Sequence, residues 1–175
     1  MSSFKLVKGS AVEQEVDAIV NAANKYLLAG SGVCGAIFDK AGYDELTDAC
    51  SRICIPLKDG ETVITPSFNI KNSKYIIHAV GPNFAITPNA FKELKDAYYN
   101  SLVVLKDNNL HSISFPLISS GIYGGNLSNP VEESTKECIN AYKEFIKMYN
   151  NYDIYVKLCA YSDLEMKEAQ KVLKK

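Results

Sequence analysis

The chain contains no tryptophan, two histidines and a single arginine, Arg52, and its 19 basic and 20 acidic residues leave a net charge of −1. A nucleic-acid-binding surface requires clustered basic residues, so this composition does not predict one. With one arginine in the chain, a bound phosphate has to be held by backbone N–H groups rather than by an arginine clamp. No apolar run approaches the roughly 18 residues of a membrane span, and no signal-peptide pattern begins the chain, so we expect a cytoplasmic protein without membrane contact.

Cysteine and histidine are too scattered to predict a metal site. The five cysteines are odd in number and form no C-x-x-C pair: Cys34, Cys50, Cys54, Cys138 and Cys159. The only histidines, His78 and His111, offer no closely spaced pair of the kind that zinc sites use. We therefore predict no metal, and we interpret four of the cysteines as small core residues in a reducing compartment. Cys34 is the exception, because it lies inside a glycine-rich segment.

Segments whose apolar residues follow the pattern of strands alternate along the chain with segments whose apolar residues follow the period of helices. The predicted strands cover residues 4–7, 18–22, 62–64, 75–80, 112–117 and 154–160. The predicted helices cover residues 33–41, 43–51 and 89–107, a segment with Asn129 as N-cap and Pro130 at its first position, and a last helix that starts with a capping box at 162–165 and ends near 173. This alternation predicts one three-layer α/β domain over residues 1–175.

The most informative segment passes from a buried strand at residues 18–20 through two amides, Asn21 and Asn24, to a glycine-rich turn at 30–35 where a helix starts. Free N–H groups and the positive end of the helix dipole attract an anion, and glycines let the backbone approach it closely. In α/β folds ligands bind at the carboxyl ends of strands, where a second glycine turn, residues 119–125, also falls. The sequence therefore predicts a site for an anionic, ribose-bearing ligand.

Gly30, Gly32 and Gly35 match the G-x-G-x-x-G pattern of dinucleotide-binding folds, but the context differs. Seven residues separate Ala22 from Gly30, whereas a dinucleotide-binding turn follows its strand at once. The acidic residues at a suitable distance fall on a predicted helix instead of a strand end: Asp44, Glu45 and Asp48. An NAD-dependent oxidoreductase stays an alternative that rests on the glycines alone. A triphosphate P-loop is excluded, since no Gly-Lys-Ser/Thr follows.

Cys34 has two interpretations at this helix N-terminus. The helix dipole lowers the pKa of a thiol placed there, so one of them is an activated thiolate. A cysteine phosphatase would also need an arginine for the transferred phosphate, and none occurs before Arg52. The interpretation we prefer is a small side chain that fits against the ligand or the core.

Three motifs together resemble the macrodomain, the ADP-ribose-binding module, and span most of the chain. The first runs from Asp17 to Asn24 and continues through the glycine turn to Ala36-Ile37, the second is Tyr75 to Pro82, and the third is Phe115 to Gly124. The Val-Gly-Pro ending of the second motif is similar to the MacroD-type branch, which removes ADP-ribose from modified proteins and deacetylates O-acetyl-ADP-ribose. The resemblance implies an α/β/α fold around a mixed, mostly parallel sheet, and it implies no cofactor.

The resemblance also implies roles for individual residues. Asn24 would bind the hydroxyls of the distal ribose, since an amide both donates and accepts hydrogen bonds. The turn from Gly30 to Gly35 would contact that ribose and one phosphate, and the second turn would hold the pyrophosphate from the other side. Tyr123 would pack on the distal ribose, and Tyr161 would lie beside the adenine. The implied ligand-binding residues are Ala11, Asn24, Gly30, Gly32, Val33, Cys34, Gly35, Ser119, Ser120, Gly121, Ile122, Tyr123 and Tyr161.

Two positions depart from the family pattern. Many members carry an adenine-binding Asp where this chain has Ser10, and a neutral hydroxyl is a weaker acceptor than a carboxylate. Adenine selectivity should therefore be weaker or supplied by another group. The MacroD-type branch carries a water-orienting Asp where this chain has Cys34, and a thiol orients water less well. Asp39, one helical turn further on, is either a substitute carboxylate or a solvated helix residue.

The resemblance leads to two functions of different classes. The first is hydrolysis of mono-ADP-ribosyl modifications on proteins, or of O-acetyl-ADP-ribose, with Asn24 and Cys34 as the catalytic residues. Other members of the superfamily lack the Asp and hydrolyse through a water held by the ligand's own phosphate. The second function is a non-catalytic reader that binds ADP-ribose or ADP-ribosylated proteins.

Overall fold

A single six-stranded sheet forms the centre of the computed structural model, which describes residues 1–174. Its strands are β1 (Ser3–Lys8), β2 (Ala18–Ala23), β3 (Thr62–Pro66), β4 (Tyr75–Val80), β5 (Ser112–Phe115) and β6 (Tyr155–Ala160). They lie in the order β1-β6-β5-β2-β4-β3. All neighbours pair in parallel except β3, which is antiparallel to β4. The expected mixed, mostly parallel sheet is confirmed.

Helices cover both faces of the sheet. They are α1 (Gly32–Ala41), α2 (Tyr43–Ser51), α3 (Phe91–Asp107), α4 (Pro130–Met148) and α5 (Asp163–Leu173). In β2, Ala18 and Val20 join the buried cluster formed with α3 and α4, whereas Ile19 and Ala23 join the one formed with α1 and α2. A strand buried on both faces reads as a continuous apolar run, which is why β2 and β4 could be identified from the sequence. The three-layer α/β/α fold is confirmed.

Some element ends differ from the sequence prediction. Strand β5 ends at Phe115 instead of residue 117, since Pro116 has no N–H to donate to the ladder. Helix α3 begins at Phe91 because Asn89 adopts a left-handed φ of +64°, which no helix continues. Asn129 does precede α4, but its side chain makes no capping bond. Two 3₁₀ turns, Ala11–Glu13 and Ile122–Gly124, are too short for a hydrophobic period to reveal. No helix within residues 1–174 is long and apolar enough to cross a membrane.

The parallel strands bring the predicted loops together at the carboxyl-terminal end of the sheet, which is the edge where a cavity lies. The segments that follow β1, β6, β5 and β2 begin near Ser10, Tyr161, Ser119 and Asn24, and the strand order places them side by side in that sequence. Adjacent strands lie roughly 4.8 Å apart, so the ends of these four strands together span the length of an extended small molecule.

Candidate functional site

A cavity of about 540 Å³ lies at this edge of the sheet. It is lined by the segments that follow β1, β2, β5 and β6, and by Gly81 at the end of β4. Twelve of the thirteen predicted ligand-binding residues line it: Ala11, Asn24, Gly30, Gly32, Val33, Cys34, Ser119, Ser120, Gly121, Ile122, Tyr123 and Tyr161. The folded chain therefore brings both glycine turns to one cavity, and their contact with a ligand stays a prediction.

The N-terminus of α1 forms one wall of the cavity. Its N-cap, Ser31, makes no side-chain capping bond, so the first N–H groups of the helix, beginning at Gly32 and Val33, have no acceptor within the part of the chain that the structure describes. Gly32 adopts a left-handed φ of +61°, which glycine tolerates without strain. The exposed N–H groups and the positive end of the helix dipole are suited to an anion.

Gly35 does not line the cavity, contrary to the sequence expectation. A Cβ atom at this position would lie 2.6 Å from the carbonyl oxygen of Gly30. The absence of a side chain at Gly35 therefore lets the turn fold back against the first turn of α1. Gly35 thus shapes the wall, and its contact with a ligand stays a prediction.

The turn after β5 forms the facing wall and also presents N–H groups. The Ser119 hydroxyl donates to the carbonyl oxygen of Pro82 at 2.7 Å, and the Ser120 hydroxyl donates to that of Leu117 at 2.8 Å. With both hydroxyls engaged, the turn offers its backbone, and the N–H groups of Ser119, Ser120 and Gly121 donate to no residue in the described range 1–174. Successive N–H groups of this kind make a concave site for an anion.

Asn24 lies at the end of β2 and lines the cavity, but most of its amide is already hydrogen-bonded. Its Nδ2 donates to the carbonyl oxygen of Leu28 at 2.8 Å, and its Oδ1 accepts from the N–H groups of Tyr26 and Leu28, each at 3.1 Å. Both lone pairs of Oδ1 are therefore used, and one N–H of Nδ2 remains for a ligand. The expectation that this amide both donates to and accepts from a ribose diol has to be corrected.

Asn21, the other amide of the first motif, is in the core and does not line the cavity. Its Nδ2 lies 3.1 Å from Nδ1 of His78, whose Nε2 lies 2.9 Å from Oγ1 of Thr65. His78 is completely buried, and this burial lowers its pKa to about 4, so the ring is neutral at physiological pH. The three side chains connect β2, β4 and β3, and their role is structural.

The buried histidine predicts a loss of stability in mild acid. The unfolded chain protonates His78 near its ordinary pKa of 6.5, whereas the folded chain resists protonation until about pH 4. This one group should therefore lower the free energy of unfolding by about 2 kcal/mol between pH 7.5 and pH 5, with most of the loss below pH 6.5. Urea titrations at pH 7.5 and 5.0 measure this difference. The variant His111→Gln, which removes the other histidine, should keep it, and equal stability of the wild-type protein at both pH values would contradict it.

Cys34 lies at the third position of α1 with its thiol against the neighbouring loop. The Sγ atom donates to the carbonyl oxygen of Leu28 at 3.5 Å, and the residue is 8% exposed. Burial raises the pKa of this thiol, although the Gly30 backbone and the Asn21 side chain act in the opposite direction. Cys34 is therefore a neutral thiol near pH 7, and the activated-thiolate interpretation is not supported. Asp39 is exposed and does not line the cavity, so it does not substitute for a catalytic carboxylate.

The end of the cavity beside β1 and β6 carries an aromatic ring and a carboxylate. Tyr161 is 75% exposed and lines the cavity, as does Glu165 in the first turn of α5. The Ser10 hydroxyl accepts from the N–H of Val12 at 3.2 Å. The sequence predicted the capping box that Glu165 forms with Ser162 as the start of the last helix, but it did not predict Glu165 as a site residue. Only the folded chain shows that this helix begins at the cavity.

Comparison with known proteins relates the whole arrangement to one family. The sequence model of the Macro domain matches residues 20–144. The O-acetyl-ADP-ribose deacetylase of Salmonella typhimurium is 37% identical over 155 residues, which are 85% of this chain and 82% of that protein. The ADP-ribose glycohydrolase MACROD2 of Xenopus laevis is 36% identical over 162 residues, which are 91% of this chain but 37% of the longer relative.

A solved structure agrees with these sequence matches. The Oceanobacillus iheyensis macrodomain with ADP superposes with a TM-score of 0.88 at 34% identity, over 99% of this chain and 90% of that one. The family model covers most of the chain, and the deacetylase matches it over more than two thirds of both lengths. The resemblance seen in the three motifs is thereby confirmed, and the chain belongs to the macrodomain family.

Proposed function

We propose that the cavity binds ADP-ribose and that the protein hydrolyses mono-ADP-ribosyl modifications on proteins. The observation that carries the proposal is the pair of walls with unpaired backbone N–H groups, one at the N-terminus of α1 and one in the turn from Ser119 to Gly121. No lysine or arginine is among the described residues that line the cavity. Backbone N–H groups thus take the place of basic side chains as donors to a diphosphate, as the scarcity of arginine suggested.

The strand order supports one direction for the ligand. Tyr161 follows β6, the turn at Ser119 follows the next strand, β5, and Asn24 follows β2 beyond it. A base at Tyr161, a diphosphate between the turn and α1, and a second ribose at Asn24 occur in the same order as the parts of ADP-ribose. Two relatives with hydrolase names, the deacetylase and the glycohydrolase described above, support a hydrolytic reaction.

In the proposed reaction, water attacks the anomeric carbon of the distal ribose. A bond forms from the water oxygen to this carbon and the bond to the protein carboxylate breaks, while the water proton passes to a phosphate oxygen of the ligand and from there to the leaving carboxylate. The neutral Cys34 thiol is a poor proton acceptor at pH 7, so the ligand's own phosphate is the base in this proposal. Asn24 fixes the loop beside the reacting sugar, and the negative phosphates stabilise the oxocarbenium-like transition state.

A non-catalytic reader of ADP-ribose is the second candidate, and Cys34 favours it. A cavity that binds the ligand but contains a neutral thiol where a base would stand can hold ADP-ribose without cleaving it. Binding is common to both candidates, and turnover separates them.

Calorimetry and a release assay test the two parts of the proposal in turn. ADP-ribose should bind more tightly than NAD, because the cavity is proposed to accept a free distal ribose. Tighter binding of NAD, or binding of neither, would overturn the macrodomain ligand assignment. A protein carrying mono-ADP-ribose on glutamate should then lose the label with turnover. Tight binding of ADP-ribose without release of label would overturn the hydrolase and support the reader.

Replacing Tyr161 by Ala should weaken ADP-ribose binding by about tenfold, because stacking of a base on an aromatic ring contributes about 1–3 kcal/mol. The side chain is 75% exposed, so its loss should change the free energy of unfolding by less than about 0.5 kcal/mol. Calorimetry measures the affinity. The variant Tyr161→Phe should bind ADP-ribose like the wild-type protein, and ribose 5-phosphate, which lacks the base, should bind all three proteins equally. Equal affinity of Tyr161→Ala for ADP-ribose would contradict the stacking role.

A further inference from the structure

Glu165 is the one charged residue among the described residues that line the cavity. A carboxylate close to a bound diphosphate would repel it, so its location within the cavity matters. Glu165 belongs to α5, which begins directly after β6, whereas the N-terminus of α1 follows β2. These strands are separated by β5, so the end of β6 lies about 10 Å from the end of β2 and about 5 Å from the end of β5, which the turn at Ser119 follows. The carboxylate therefore lies on the side of the cavity away from the N-terminus of α1.

The two oxygens of this carboxylate have different surroundings. Oε1 accepts from the N–H groups of Tyr161 at 2.9 Å and of Ser162 at 3.2 Å, which completes the capping box of α5. Oε2 accepts no hydrogen bond from any residue between 1 and 174. A carboxylate can only accept, and Oε2 is not buried, so it is available to a donor from a ligand in the cavity.

The groups beside Glu165 indicate which kind of ligand would supply this donor. The exposed Tyr161 ring offers a face for a flat heterocycle, and the Ser10 hydroxyl already accepts from the N–H of Val12. An aromatic ring next to a free carboxylate oxygen fits a base that carries an exocyclic amino group, as adenine does and hypoxanthine does not. We propose that Glu165 Oε2 accepts a hydrogen bond from the adenine amino group and is the residue that makes this site select adenine. This inference rests on the proposed binding of ADP-ribose.

The substitution Glu165→Gln changes the group at Oε2 and keeps the hydrogen bonds that Oε1 accepts. The N–H groups of Tyr161 and Ser162 orient the glutamine so that its carbonyl oxygen takes the place of Oε1, and glutamine also serves in a capping box. An NH₂ group then replaces Oε2, so an acceptor becomes a donor. Calorimetry compares ADP-ribose with inosine diphosphate ribose, in which a carbonyl replaces the amino group. We expect the wild-type protein to prefer ADP-ribose by roughly tenfold, and Glu165→Gln to lose or reverse that preference.

The ratio of the two affinities is the decisive quantity. Removing a negative charge strengthens binding of both diphosphates equally and leaves their ratio unchanged. The control Glu168→Gln makes the same chemical change one turn further along α5, outside the cavity lining, and should keep the wild-type ratio. A wild-type protein that binds both nucleotides equally, or a Glu165→Gln variant with the wild-type ratio, would overturn the role of Glu165 alone. Binding of neither nucleotide to the wild-type protein would overturn the proposed function as well.

Discussion

Replacing Asn24 by Ala is expected to slow the release of ADP-ribose from a modified protein by at least about 100-fold, the scale on which misplacing reacting groups by 1 Å acts. The substitution removes three hydrogen bonds that fold the chain from Tyr26 to Leu28 against the end of β2. The Leu28 carbonyl also accepts from the Cys34 thiol, so the loop is linked to the first turn of α1. Without the amide, the wall beside the proposed distal ribose loses its fixed position, and the remaining N–H donor to the sugar is lost too.

Single-turnover release of labelled ADP-ribose measures this effect, and calorimetry shows how much of it is binding. Asn83→Ala is a matched control, since Asn83 makes a similar local bond, from the N–H of Ala85 to its Oδ1 at 3.1 Å, outside the cavity lining. It should release ADP-ribose at nearly the wild-type rate. An Asn24→Ala variant with an unchanged single-turnover rate would show that the loop does not position the sugar.

The sequence predicted the fold well because both faces of the central strands are buried. Strands β2 and β4 have apolar side chains on each face, and the helices between strands have one apolar stripe, so both patterns are local. The ends of elements depend on single backbone features instead. The left-handed Asn89 and the missing N–H of Pro116 shift the ends of α3 and β5, and only the proline could have been recognised in advance.

The parts of the site that are formed by backbone turns could be predicted from the sequence. The parts that depend on contacts between residues distant in sequence could not. The two turns can be recognised in the sequence by their glycine content, and the strand order then places them in one cavity. Two amides three residues apart look equivalent in the sequence, but Asn21 pairs with His78, 57 residues away, and is removed from the cavity. Glu165 reaches the cavity only because α5 starts beside it, which is a property of the folded chain.

The second large effect concerns Cys34, a neutral thiol at the position where the family resemblance implies a water-orienting carboxylate. Replacing Cys34 by Asp should raise kcat for ADP-ribose release by about 100-fold, at the low end of what a positioned general base contributes. The unpaired N–H groups and positive dipole end of the first turn of α1 offset the cost of placing a charge in a residue that is 8% exposed, although a carboxylate, unlike the thiol, cannot donate to the Leu28 carbonyl oxygen. The same charge opposes binding of a diphosphate, so the affinity for ADP-ribose should fall while kcat rises.

Cys34→Asn is the control that separates charge from shape. Asparagine has the size and hydrogen-bonding plane of aspartate but cannot accept a proton from water, so its kcat should not exceed that of the wild-type protein. Steady-state release assays on the three proteins give kcat and KM separately. A gain confined to Cys34→Asp would show that a proton acceptor at this position limits the wild-type reaction. Equal kcat values for the Asp and Asn variants would show that the proton acceptor lies elsewhere, which would leave the ligand's phosphate as the base and Cys34 as part of the wall.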